Sequence, residues 1–131
     1  MVLDNAREAV NDGTRTYTGY WCTSGAPNAY GSDSLYNCAS SSDTYRWTPS
    51  LASGTYDVYV RWTSNANRSV AVPIAVRHSQ GTTSRAFNEQ ANGGAWVLHG
   101  TYSFAGGTSG YVEVSGVNGQ ASADAVRFVP R

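Results

Sequence analysis

Along much of this chain apolar residues recur at every second position. In the stretch GTYDVYVRWT, Tyr56, Val58, Val60 and Trp62 fall on one face while Asp57, Tyr59 and Arg61 fall on the other. A period of two marks a half-buried strand, because successive side chains of extended backbone point to opposite faces. The same alternation groups Val70, Val72, Ile74 and Val76 in SVAVPIAVRH, and Trp96, Leu98, Tyr102 and Phe104 in AWVLHGTYSF. Val112 with Val114, and Val126 with Phe128, complete the pattern. Helical periodicity is nearly absent. Residues 5–13, NAREAVNDG, could form one short turn of helix that Gly13 would end.

Turn formers separate these runs: Ser53-Gly54, Gln80-Gly81, Asn92-Gly93-Gly94, Gly106-Gly107 and Asn118-Gly119. Asn118-Gly119 is the strongest hairpin cue, since a two-residue type I′ turn needs positive φ at both central positions. Pro73 has no N–H to give a ladder, so its strand is expected at a sheet edge or with a bulge. The pattern predicts one all-β domain over residues 1–131. It would be an antiparallel β-sandwich of the jelly-roll kind with about eight strands.

Composition narrows the function classes. Nine basic residues balance nine acidic ones, and all the basic ones are arginine. Without a basic cluster the chain is a poor match for nucleic acid, whose phosphates demand grouped cations. The lack of lysine removes Schiff-base and P-loop chemistry. No window approaches the roughly 20 apolar residues of a membrane span. Charged residues are only 14%, with Ser, Thr, Gly, Asn and Tyr filling the polar positions, a balance suited to an extracellular β protein. The opening MVLDN has no leader-like pattern, so the chain is either cytosolic or a module cut from a longer secreted protein and given an initiator Met, and the composition favours the second. Cys22 and Cys38 enclose a loop rich in turn formers; they are either a disulfide or two unrelated buried thiols. As a disulfide they would add on the order of 3 kcal/mol.

Catalytic signatures are missing: no G-x-S-x-G, H-E-x-x-H, C-x-x-C or G-x-G-x-x-G occurs. His78 and His99 read as exposed strand residues, with a small hydrolase using one of them as a weaker alternative. Asp57 and Glu113 could act as a carboxylate pair only if the fold brought them together, and their outward phase argues for solvated positions. Binding is easier to support. Sugars are held by aromatic faces with amide and charged groups at the rim, and this chain has nine Tyr and four Trp. Tyr30 and Tyr36 flank a polar Gly-bearing loop, and Asn65 and Arg68 sit between two strands. With Asn92 these are the candidate ligand contacts, although each could equally serve its own turn. Asp4 and Asp124 would meet if the first and last strands lie side by side, and two hard oxygen ligands could hold a structural Ca²⁺; no cofactor is otherwise required.

Four stretches together resemble the golvesin C-terminal-like domain, a carbohydrate-binding-like module associated with xanthan lyases. They are VLDN, YRWTPSLASGTYDVYVRWTSNANRS, NEQANGGAWVLHGTYSF and ASADAVRFV, in order over nearly the whole chain. The resemblance implies a jelly-roll module attached to secreted bacterial enzymes, with no catalytic residues to carry over. It implies that Trp21, Trp47, Trp62 and Trp96 are structural core, leaving ligand contacts to the loops. The Cys22–Cys38 segment departs from the family pattern. The expected function is a non-catalytic polysaccharide-binding or targeting module, its partners a polysaccharide and the parent catalytic domain. The alternative is a structural or interaction domain packing on its parent enzyme or another protein.

Overall fold

The computed structural model describes residues 1–5, 12–39 and 42–131. The helical turn expected within 5–13 falls mostly on residues 6–11, outside the described residues. Twelve strands form: β1 (Val2–Asp4), β2 (Arg15–Thr18), β3 (Cys22–Ser24), β4 (Ser34–Tyr36), β5 (Thr44–Trp47), β6 (Gly54–Arg61), β7 (Val72–His78), β8 (Gly81–Phe87), β9 (Val97–Phe104), β10 (Tyr111–Ser115), β11 (Ser122–Ala123) and β12 (Ala125–Pro130). Alternation suggested about eight. Six of the twelve have four residues or fewer, too short for a period of two to stand out.

A four-stranded sheet, β1-β12-β6-β9, and a five-stranded sheet, β2-β5-β10-β7-β8, enclose one core, and the small sheet β11-β4-β3 lies among the connecting segments. The strands pair antiparallel throughout. Val58, Val60, Val126 and Phe128 from one large sheet meet Tyr45, Trp47, Ile74, Val76, Val112 and Val114 from the other, all buried. Each such side chain removed from water contributes roughly 1.5–3 kcal/mol before the entropy of ordering is charged. Rings lock edge to face within the core, with Trp21 on Tyr45 and Tyr45 on Trp47 at centroid separations of 5.6 and 5.0 Å.

The alternation located the inward faces of β6, β10 and β12, and three positions departed from it. Val70 lies exposed ahead of β7, whose buried set is Val72, Ile74 and Val76. β7 is an interior strand and not an edge. Pro73 is tolerated because the β10 ladder ends at Ile74 opposite Val114, so no bond to β10 is asked of it. Asn118-Gly119 does turn the chain, with the Gly119 N–H donating to the Gly116 carbonyl at 3.1 Å. It is no hairpin, because the long strands flanking it, β10 and β12, belong to different sheets. The two-residue hairpin is at Ser79-Gln80, joining β7 to β8.

The third departure is in β9. Its register against β6 shifts between Val58 and Tyr59, so His99 is an extra residue, a β-bulge. A bulge reverses the phase of everything on one side of it. Tyr102 and Phe104 face the core as expected, but before the bulge His99 and Val97 take the inward places. Leu98 is turned out, 45% exposed. Trp96 is thereby corrected from core to a half-buried position on the outer face, while Trp21, Trp47 and Trp62 are buried as expected.

Candidate functional site

The long connections gather at one end of the sandwich: residues 19–39, 62–71, 88–96 and 116–124. Hydrogen bonds tie them to one another. Gln90 Nε2 donates to the carbonyls of Arg68 and Ala66 at 2.8 and 3.2 Å, and Asn118 Nδ2 to that of Ala71 at 3.0 Å. Ser34, Thr63 and Ser122 share a buried hydroxyl cluster, with oxygens 2.8 and 3.1 Å apart. Buried polar groups satisfied in this way fix loop positions, because separating them would strand a donor or acceptor away from water.

Cys22 and Cys38 form a disulfide with 5.8 Å between their Cα atoms, closing the first of these connections. Beside it opens a cleft of about 420 Å³ lined by Tyr17, Gly19, Tyr20, Trp21, Thr23 and Leu35. That volume falls among those of small-ligand sites. At its mouth Tyr20 is 66% exposed, while Trp21 beneath it is buried with its indole N–H donating to the Thr18 carbonyl at 3.0 Å. The Tyr20 backbone is held by Asp43, whose carboxylate accepts its N–H at 3.2 Å. Gly19 has φ of +81°, and a β-carbon there would collide with the Asp43 carboxylate, so only glycine permits this turn.

The loop residues expected to touch ligand divide into three groups. Asn65 and Asn92 are exposed, and both serve turns: the Asn65 carbonyl accepts the Arg68 N–H at 3.0 Å, and Asn92, at φ +61°, accepts the Ala95 N–H at 3.2 Å. Tyr36 and Arg68 are together, with the guanidinium carbon 4.8 Å from the ring centre. Arg68 is not a rim group, however: it is 3% exposed and donates inward to Ser24 Oγ and Asn67 Oδ1, both at 2.8 Å. Burial lowers its pKa, and the nearby Glu89 partly offsets this. Tyr30 lies apart from the cleft, edge to face with Trp96 at 5.6 Å.

Alternation could not reveal Glu89. It is fully buried, one carboxylate oxygen accepting the Ser122 N–H and the other without a partner. Burial raises its pKa to about 8.

β1 does lie beside β12, bringing Asp4 and Asp124 together. Asp124 accepts the Tyr30 N–H through both oxygens, at 3.1 and 2.9 Å, and its Oδ2 is 3.5 Å from Arg61 Nε. Asp33 stands near, accepting from Asn5 Nδ2 at 2.8 Å. Burial, reinforced by mutual repulsion, raises Asp4 to about 6 and Asp124 to about 7. Asp4 Oδ1 is buried without a partner. Among the described residues no three His, Cys, Asp or Glu side chains are grouped to hold a metal ion.

The histidines differ from expectation. His99 is a core residue, its Nε2 donating to the Ile74 carbonyl and its Nδ1 accepting the Tyr102 hydroxyl, both at 2.7 Å. Burial lowers its pKa, consistent with that neutral tautomer. His78 stacks on the Tyr102 ring at 4.7 Å, with Thr83 Oγ1 2.9 Å from its Nε2. Neither has a serine or carboxylate within hydrogen-bond reach among the described residues. Asp57 and Glu113 project from different large sheets, Asp57 to Thr101 and Arg131, Glu113 to Arg46. They cannot flank one bond.

Two packed antiparallel sheets with a loop-built end and a cleft beside a staple define a jelly-roll module. The fold superposes on a CBM35 from Paenibacillus barcinonensis with a TM-score of 0.67 at 12% identity, covering 100% of this chain and 99% of that one. It also superposes on a GH26-CBM35 β-(1,4)-mannanase from Podospora anserina with a TM-score of 0.68 at 11% identity, covering 100% of this chain and 27% of that one. At such identities the likeness is one of fold. The chain belongs to the Golvesin C-terminal domain family, which matches residues 1–130. It is 36% identical to the xanthan lyase of Bacillus sp. (strain GL1), over 98% of this chain but 14% of that protein. A Paenibacillus xanthan lyase structure superposes with a TM-score of 0.87 at 36% identity, covering 99% of this chain and 13% of that one. The chain therefore spans about one-seventh of the lyase it resembles, and among its described residues no helix is long and apolar enough to cross a membrane.

Proposed function

We propose that this chain is a non-catalytic accessory module of a secreted bacterial enzyme, holding a polysaccharide close to an attached catalytic domain. The observation that carries this reading is Tyr20: an exposed ring on a backbone fixed by Gly19, Asp43 and the neighbouring disulfide, at the mouth of a cleft of about 420 Å³. A rigid aromatic loses little entropy when a sugar's C–H face stacks on it. Asn65 and Asn92, exposed on adjoining loops, would add hydroxyl contacts, and Tyr36 would line the approach. Tethering multiplies weak binding, so micromolar to millimolar affinity suffices. The disulfide and the lyase relatives support an extracellular setting.

The test is retention of the purified module on immobilised polysaccharides, neutral and acidic. Tyr20→Ala is expected to weaken retention about tenfold, the equivalent of about 1.4 kcal/mol, with an unchanged melting temperature. Equal retention by wild type and variant would remove Tyr20 from the site. No retention on any polymer would overturn the sugar reading and make the attached domain the partner to test.

We further propose that Asp4 and Asp124 bind a structural Ca²⁺, with backbone carbonyls and water completing the oxygen shell. The unpartnered Asp4 Oδ1 and the crowded carboxylates support this. EDTA should then lower the melting temperature and Ca²⁺ restore it. An unchanged melting curve would leave protonation and Arg61 as the means by which the cluster is neutralised.

A further inference from the structure

The outer face of the four-stranded sheet carries a second arrangement that the cleft does not use. One cross-strand row reads Val2, Arg127, Tyr59, Leu98, and the next reads Asp4, Ala125, Arg61, with Trp96, the residue before β9, beside Arg61. Arg127 lies between two rings, its guanidinium carbon 4.6 Å from the centre of Tyr59 and 5.1 Å from that of Trp96. Tyr30 closes one side against Trp96. The bulge at His99 is what turns Trp96 and Leu98 outward into this patch.

Arg127 is distinguished by what it lacks. Arg15, Arg46, Arg61, Arg68, Arg85 and Arg131 each have an acceptor within the chain. Arg77 makes no such contact but is exposed and samples water freely. Arg127 is half-buried and, among the described residues, its side chain forms no hydrogen bond and no ion pair. Its Nε is shut away from solvent without a partner, while its terminal nitrogens keep access to water. Two nearby acids are already engaged: Asp124 with Arg61 and the Tyr30 N–H, Asp57 with Thr101 at 2.6 Å and Arg131 at 3.3 Å. Arg61 and Arg68 also bury an Nε without a hydrogen-bond partner, but each of them places its terminal nitrogens on an acceptor within the chain, whereas Arg127 does not.

We propose that Arg127 is the anchor of a carboxylate-binding site, and that the polysaccharide this module takes bears carboxylated sugars; the inference rests on the sugar-binding reading above. Two terminal N–H groups held in a plane match the two oxygens of a carboxylate. The flanking rings fix that plane in advance, so little ordering is left to be done on binding. Tyr59 and the exposed Leu98 offer an apolar surface beside the charge for a ring's C–H face. Arg61, paired with Asp124, also lies against the Trp96 ring, its guanidinium carbon 5.5 Å from the ring centre. The match is one of charge: a fixed cation with no internal counterion meets an anionic polymer.

The experiment compares retention and affinity for polygalacturonate, alginate, hyaluronan and xanthan with their carboxyl-reduced counterparts, using the disulfide-intact chain. At least one acidic polymer is expected to bind ten or more times more tightly than its reduced form, with affinity falling as salt rises. Arg127→Met should lose that preference, and Arg127→Lys, which keeps the charge without the planar fork, should keep only a fraction of it. Tyr20→Ala should instead weaken acidic and reduced forms alike. Equal binding of acidic and reduced polymers, unchanged in Arg127→Met, would overturn the site and leave the sugar reading standing. So would retention on neutral polymers alone, or dextran sulfate binding as tightly as every carboxylated polymer. No binding to any polymer would overturn both. If Arg127→Met fails to fold, the wild-type comparison and Arg127→Lys still decide.

Discussion

His99 and Tyr102 hold each other across the bulge in β9. The imidazole spends its Nε2–H on the Ile74 carbonyl of β7, which ties the two large sheets together, and receives the Tyr102 hydroxyl at Nδ1. Tyr102→Phe would remove that donor and leave a buried nitrogen acceptor unpartnered, at a cost of about 1–3 kcal/mol. Urea denaturation should show a lower midpoint with an unchanged slope; a midpoint equal to wild type would mean water replaces the hydroxyl. Trp62 and Trp96 make the contrast of this scale plain. Both belong to alternating runs, yet Trp62 is buried with its indole N–H on the Ala91 carbonyl at 2.8 Å, while Trp96 lies against two arginines on the outer face. One inserted residue separates their fates.

At the scale of elements, that inserted residue needs the glycine after it. A β-carbon on Gly100 would collide with the Tyr102 hydroxyl and come within 2.6 Å of the ring carbon that bears it. Gly100→Ala should push Tyr102 off both His99 and His78, destabilising by roughly 1–3 kcal/mol. The same variant should weaken acidic-polymer binding if the bulge positions Trp96 beside Arg127. Unaltered stability would show that Tyr102 yields at no cost. The inward faces of β6, β10 and β12 were legible in sequence because those strands are five residues or longer and free of bulges. β3, β4 and β11 were not, because two or three residues cannot display a period. The Asn118-Gly119 turn was legible as a turn, but local chemistry carries no information on whether the chain then rejoins its sheet or crosses to the other.

For the molecule as a whole, three desolvated carboxyls, Glu89 and Asp124 buried and Asp4 partly so, set the dependence of stability on pH. Asp4, Asp124 and Glu89 rise from ordinary values of 3.8, 3.8 and 4.5 to about 6, 7 and 8 on folding. A carboxyl with a raised folded pKa favours the fold below its unfolded value, and this contribution is lost as pH climbs through the folded one. His78 and His99, lowered by burial, act oppositely and only below their ordinary 6.5. Between pH 6.5 and about 8 the carboxyls therefore act alone, and the melting temperature should fall as pH rises. Glu89→Gln should flatten the upper part of that decline, and bound Ca²⁺ would remove the share of Asp4 and Asp124. A melting temperature constant from pH 6.5 to 9 would refute the burial argument for Asp124 and Glu89.

By itself, the sequence determined the class of fold and most of the core. Those rest on period, composition and spacing, which are local properties. The family resemblance was legible too, through motifs spread in order along the chain. Tertiary structure decided the rest. It turned Arg68 inward, brought Asp4 beside Asp124, sealed Glu89 in the core, set Tyr20 over a cleft, and moved Trp96 out to join Arg127. Each outcome depends on which backbone group lies across a sheet or beneath a loop, and partners as distant in sequence as Tyr30 and Asp124 meet only when the chain is folded.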